Sequence, residues 1–181
     1  MANDNEMILT HISNFRKVKR INDVIAIFNL VLKKIPSKLV MVGDGPERLN
    51  AELIAKKLGI SEKVIFLGNS SEIDKVLCMS DLFLLPSETE SFGLAALEAM
   101  AFSVPVISSN TGGIPEVNIH GKSGFLSPVG DVESMANNAI QMLSDSRLHE
   151  SFKRNAKAIS NEFDIHKIVP KYEDLYQSVL K

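Results

Sequence analysis

Short, nearly continuous apolar runs alternate along the chain with longer stretches in which apolar residues recur every three or four positions. MILTHIS (7–13), SKLVMVG (37–43), KVIFLG (63–68), DLFLLPS (81–87) and VPVISS (104–109) have the length and content of strands, and Gly124-Phe125-Leu126 forms a last short one. INDVIAIFNLVLKKI (21–35) sets Val24, Ile27, Phe28, Val31 and Leu32 at helical spacing, and ERLNAELIAKKLG predicts a helix ending at Gly59. SEIDKVLCM and FGLAALEAMA predict two further helices, and the stretches 131–144, 146–160 and 164–180 predict three more. Strands apolar on both faces, alternating with helices, predict a parallel sheet covered on both sides. The expected fold class is α/β, a single Rossmann-like domain whose doubly wound parallel sheet carries helices on both faces.

Composition narrows the partners. The 181 residues are 45% hydrophobic and 23% charged, which suits one compact unit, and a formal net charge of −2 gives no general attraction to nucleic acid or anionic membrane. The single cysteine, Cys78, excludes an intramolecular disulfide and a thiolate metal cluster. Its setting in VLCMSD predicts a packed thiol, and a reducing cytoplasm is the natural location. The start MANDNEMILT lacks a basic segment followed by an apolar core, and no run approaches the ~18 apolar residues of a spanning helix. Neither secretion nor membrane insertion is expected.

In an open parallel sheet a ligand sits outside the carboxyl ends of the strands, so the loops after them are the candidate site. The first, SNFRKVKR (13–20), sets Arg16, Lys17, Lys19 and Arg20 within five positions, either as a solvated basic turn or as donors to a multi-oxygen anion. The second, GDGPER (43–48), is weak evidence alone; with no Walker motif and no G-x-G-x-x-G, a P-loop NTPase or standard dinucleotide site is disfavoured. The fourth, NTGGIPEVNIHGKSGFL (110–126), contains the tight turn Gly112-Gly113 and is either a connection or part of the site.

The third loop is ETES, leading into a helix expected to begin near Ser91 with Phe92, Gly93 and Leu94 in its first turn. First-turn amides lack intrahelical acceptors and can hold a phosphate. Glu98 lies in a helix that reads as apolar nearly all round, and is therefore expected to be buried. A buried carboxylate needs donors, which sugar hydroxyls or a salt bridge from a neighbouring helix would each supply. Glu90 is an acid before a helix start, and over eight helical residues the two carboxylates would stand ~12 Å apart along the axis, too far to share a proton or metal. Cations, amides and two separated carboxylates suit a nucleotide diphosphate sugar better than ATP with magnesium.

GDGPER, FLG, SDLFLLPSETESFGLAALEAMAFSVPVISSNTGGIPEV and GKSGFL, in this order and spacing, resemble the C-terminal half of family 4 glycosyltransferases, retaining enzymes of GT-B fold. That resemblance implies that Glu90 binds donor-sugar hydroxyls, that Ser91, Phe92, Gly93 and Leu94 surround sugar and diphosphate, and that Glu98 binds ribose hydroxyls. Gly43 is implied beside the donor, and Gly68 and Asn69 are nominated for the base. Many members carry Gly-Arg in the first loop, then Lys-Gly; here Ser13-Asn14 and Lys19-Arg20 occupy those pairs. Lys19 then serves the diphosphate, Asn14 stands at the arginine position, and Arg16 supplies the charge from another angle, so that Arg16, Lys19 and Glu90 are the implied catalytic groups.

The variant SNFRKVKR resembles that of members which transfer N-acetylglucosamine from UDP-N-acetylglucosamine to L-malate in bacillithiol synthesis. The resemblance implies a metal-independent transfer without cofactor. It assigns residues 7–163 to nucleotide-sugar binding and 164–181 to a C-terminal helix that packs on an N-terminal acceptor domain not contained in this chain. Self-association of the isolated domain through that helix is expected, as is binding of UDP-sugar without turnover. Transfer of another sugar or to another acceptor, a purely nucleotide-sugar-binding role, and a sugar-nucleotide epimerase are the alternatives.

Overall fold

A computed structural model describes residues 6–180 of the chain. Six strands, β1 (Met7–Ile12), β2 (Ser37–Val42), β3 (Val64–Gly68), β4 (Leu82–Leu85), β5 (Val106–Ser109) and β6 (Gly124–Ser127), form one sheet in the order β3-β2-β1-β4-β5-β6. Every pairing is parallel. The strands stop where the sequence turns polar or meets proline: β4 ends before Pro86, and β5 begins after Pro105, whose missing N–H cannot join a ladder. The doubly wound order reverses between β1 and β4, which opens a crevice at the carboxyl ends of those two strands.

The connections are α1 (Ile21–Leu32), α2 (Arg48–Lys57), α3 (Ile73–Cys78), α4 (Leu94–Ala101) and α5 (Ile114–Val117), followed by α6 (Val132–Ser144), α7 (Ser146–Ser160) and α8 (Ile165–Val179). The last three begin at aspartates. Asp131, Asp145 and Asp164 each accept hydrogen bonds from the first amides of their helix, at 2.8–3.1 Å.

Alternation along the strands divides the core. Leu9, Leu39, Met41, Leu82 and Leu84 face α1, α2 and α6, and Phe83, Leu85 and Val106 face α4 and α5. Val40 and Val42 meet the short α3 through Val76. With six residues, α3 buries Val76 and Leu77 and leaves an apolar groove of about 390 Å³ beside it, lined by Ile8, Val40, Ile65 and Met79. The expected packed thiol is wrong: Cys78 is exposed, because the last turn of α3 presents Val76 and Leu77 to the core and leaves Cys78 on its outer side.

The helix expected over 164–180 forms, but none of its residues is buried; residue 181, which belongs to the same expectation, lies outside the described residues. No helix among the described residues is long and apolar enough to cross a membrane.

Candidate functional site

The loop after β1 is anchored by Phe15, which is fully buried and meets Phe66 on β3 edge to face. Its N–H donates to Asp44 O at 3.0 Å and its carbonyl accepts from Glu47 N at 2.9 Å. The glycines of GDGP serve this anchor. A Cβ on Gly43, whose φ is +117°, would stand 1.8 Å from Ser13 O, and one on Gly45 would stand 2.8 Å from Phe15 O. Gly43 thus buttresses the site and does not line it.

The four cations separate. Arg20 takes a left-handed conformation (φ +51°) ahead of α1 and pairs with Asp23 at 2.6 Å, while Arg16 and Lys17 are exposed. Lys19 turns inward and forms an ion pair with Glu90, one side chain 20% and the other 13% exposed. The Ser87 hydroxyl donates to the same Glu90 oxygen at 3.0 Å.

Glu90 is held by its loop, whose backbone is fixed from two sides. Glu88 N donates to Val18 O at 2.8 Å, which ties the loop after β4 to the loop after β1. On the other side Thr111 Oγ1 donates to Glu88 O at 3.1 Å, the Ser109 hydroxyl to Ser87 O, and Gly113 N to Glu90 O at 3.1 Å. A Cβ on Gly112 would lie 1.8 Å from Glu90 O and one on Gly113 2.4 Å from Ser91 O. The Gly-Gly turn is therefore required by close approach to the residues carrying the carboxylate.

The helix begins later than the sequence suggests. Ser91, Phe92 and Gly93 precede α4, because Gly93 adopts φ +93° as its N-cap, and Phe92 packs edge-on to Phe163 at 5.6 Å. Ala96 N and Leu97 N both bond to Gly93 O, at 3.0 and 3.1 Å. The amides left without an intrahelical acceptor are those of Leu94 and Ala95. A cleft of about 220 Å³ opens here, lined by Ile12, Ser13, Asn14 and Lys19 on one wall and by residues 90–95 on the other.

Glu98 contradicts its expected burial. It is exposed on α4, on the same open face as Leu94, which is 64% exposed four residues earlier, while Ala96, Ala99 and Met100 fill the core side. The stretch reads as apolar all round because alanine is both core filler and good helix former, so its exposed copies carry no signal. The salt-bridge explanation also lapses: no lysine or arginine among the described residues pairs with Glu98. Nor are the carboxylates related by eight helical residues, since Glu90 stands outside the helix. Gly68 ends β3 and Asn69 follows it, two strands from β1, with Gly68 O accepting from Gly43 N at 2.8 Å; neither lines the cleft.

Sequence reasoning missed His11. It is fully buried on β1 beneath the cleft, with Nδ1 2.8 Å from Leu84 O and Nε2 2.8 Å from Ser13 Oγ. Burial pushes its pKa from 6.5 down to about 4, against the opposing Leu84 carbonyl; Lys19 lowers it further and Glu90 raises it. A histidine two residues before a serine at a strand end was the available signal, since residues i and i+2 share one side of a strand.

Comparison with known proteins decides the class. Residues 2–159 match the family described as glycosyl transferases group 1. The chain belongs to this family. It is 47% identical over 179 residues to the N-acetyl-alpha-D-glucosaminyl L-malate synthase of Bacillus anthracis, covering 98% of this chain and 47% of that protein. It is 31% identical over 159 residues to the 2-deoxystreptamine N-acetyl-D-glucosaminyltransferase of Niallia circulans, covering 83% and 41%. The chain thus spans about half the length of the curated relatives it matches. Among solved structures, Anabaena HepE in complex with UDP and glucose superposes with a TM-score of 0.86 at 27% identity, over 96% of this chain and 49% of that one. The fold is that of the C-terminal domains of GT-B glycosyltransferases.

Proposed function

We propose that this chain is the donor-binding half of a retaining glycosyltransferase that moves N-acetylglucosamine from UDP-N-acetylglucosamine to the hydroxyl of L-malate. The observation that carries the reading is the Lys19–Glu90 pair set beside the two free amides of α4, at the sheet's switch point. The sugar and acceptor are supported by the 47% identity to the malate synthase, and the nucleotide by the likeness to a UDP-bound structure.

In this reading Lys19 leaves Glu90 for the diphosphate when the donor enters, and Glu90, still held by Ser87, turns to hydroxyls of the sugar. The amides of Leu94 and Ala95 face the phosphates, and the growing negative charge of the departing diphosphate is stabilised by Lys19 and by the start of α4. Arg16, exposed at the loop tip, reaches the donor after a side-chain movement. Glu98 on the open face of α4 meets the ribose, with Leu94 beside it. The acceptor hydroxyl attacks from the face that the diphosphate leaves, and no metal or cofactor is invoked. An N-terminal domain supplies the acceptor site and covers the apolar side of α8; in its absence α8 pairs with a second copy, and the chain binds without turnover. The reading places the protein in the cytoplasm.

Calorimetric titration with UDP, UDP-N-acetylglucosamine, GDP and ADP tests this reading, with Lys19→Ala and Glu98→Ala as controls. Uridine-selective binding weakened by both variants supports it. Equal affinity for all bases removes the uridine assignment, and transfer of sugar to malate by this chain alone refutes its dependence on a second domain.

A further inference from the structure

The donor reading leaves one buried polar group without a task. His11 sits on the central strand, bonded to Leu84 O on β4 through Nδ1 and to Ser13 Oγ through Nε2, both at 2.8 Å. A carbonyl oxygen only accepts, so Nδ1 carries a proton. Full burial keeps the ring neutral, against the pull of the carbonyl and of Glu90 and with the help of Lys19. A neutral imidazole with its proton on Nδ1 has a bare lone pair on Nε2. The Ser13 hydroxyl must therefore spend its single proton on His11.

What remains on Ser13 is an oxygen that can only accept. Ser13 lines the cleft beside Asn14, Lys19 and Glu90. Phosphate oxygens, which are acceptors at neutral pH, gain nothing from such a group, whereas a sugar hydroxyl or amide N–H finds a fixed partner. We propose that Ser13 is a specificity residue for the sugar part of the donor, held by His11 as a one-way acceptor, and that His11 is its positioning residue. The proposal rests on the donor-binding reading above. It separates two tasks on one loop: Lys19 takes the charge of the diphosphate, and Ser13 distinguishes a nucleotide that carries a sugar from one that does not.

The test compares UDP with UDP-N-acetylglucosamine on the full chain. Ser13→Ala is expected to weaken UDP-N-acetylglucosamine about three- to tenfold, the worth of one hydrogen bond, and to leave UDP unchanged. Ser13→Thr, which keeps the hydroxyl, is expected to restore the difference. His11→Phe frees the Ser13 proton to donate, so UDP should bind more tightly and its sugar conjugate more weakly. Because that variant removes a buried hydrogen-bonding group, nitrogen-15 spectra of the histidines in the unaltered chain give a second readout: the His11 ring must be neutral with its proton on Nδ1. Equal losses for both ligands in Ser13→Ala, or a proton on Nε2, overturn the proposal while UDP binding that depends on Lys19 leaves the donor site standing. If the unaltered chain binds neither ligand, both readings fall together.

Discussion

Helices α7 and α8 are each fifteen residues long, each starts at an aspartate that caps its first amides, and each carries apolar residues at helical spacing. Yet α7 buries His149, Phe152 and Ala156 against α4, α6 and the sheet, whereas α8 buries nothing. On α8 the stripe of Ile165, Val169, Tyr172, Leu175, Tyr176 and Val179 stays exposed, and Pro170 removes one backbone donor from the helix interior. Amphipathic spacing therefore accounts for both helices but says nothing about what receives the apolar face. That depends on a complementary surface, which this chain supplies to one helix and not to the other. A contiguous exposed stripe of this kind marks an interaction surface.

The sharpest way to break the contrast is to remove one aromatic from each helix. Phe152, whose ring lies 5.0 Å from that of Phe125, is expected to cost about 3–5 kcal/mol when changed to alanine, read from urea midpoints. Tyr176→Ala on α8 should stay within about 0.5 kcal/mol. Equal losses at a concentration where the chain is monomeric would mean that α8 packs against its own chain.

Acid should act on the packed body next. His11 is neutral in the fold with a pKa of about 4 against 6.5 when free, so the unfolded chain binds the proton first and stability falls as pH drops between those values. At about 1.4 kcal/mol per pH unit the loss attributable to His11 approaches about 3 kcal/mol at pH 4, and it should be fully absent above pH 6.5. His11→Asn should flatten that part of the pH–stability curve.

Gly112→Ala asks whether the loops of the body are as exacting as its helices. With φ +54° and backbone 1.8 Å from the added carbon, it should cost about 1–3 kcal/mol and weaken UDP binding with it. The smallest effect on stability is expected from Leu175→Ser with Tyr176→Ser, within about 0.5 kcal/mol, accompanied in sedimentation by a shift from dimer to monomer. A chain that is monomeric before the change removes the self-association reading.

Most of the fold was legible because the strands are buried on both faces and their runs are continuous, so β1 to β6 could be placed within a residue or two. Lys19 and Glu90 could each be nominated from motif and loop position, but that they pair at one cleft is visible only in the structure. Cys78 was misread since apolar neighbours in sequence do not reveal which face of a short helix a residue occupies: Val76 and Leu77 face the core and Cys78 does not. Glu98 was misread because alanines look equally apolar on the buried and open faces of α4. The scattering of the four basic residues followed from two conformational facts invisible in their charges, the burial of Phe15 and the left-handed Arg20. His11 went unnoticed because β1 is covered on both faces, so the polar pair Thr10-His11 breaks no alternation that would mark a site.

The clash distances at Gly112 and Gly113 carry a practical corollary for engineering. Segments 86–93 and 110–113 touch backbone to backbone, so they form one transplantable cassette. A graft that brings the glutamate loop from a relative of different sugar preference, but keeps the resident turn, succeeds only where the two templates agree to a fraction of an ångström. Moving both segments together carries the mould along with the casting.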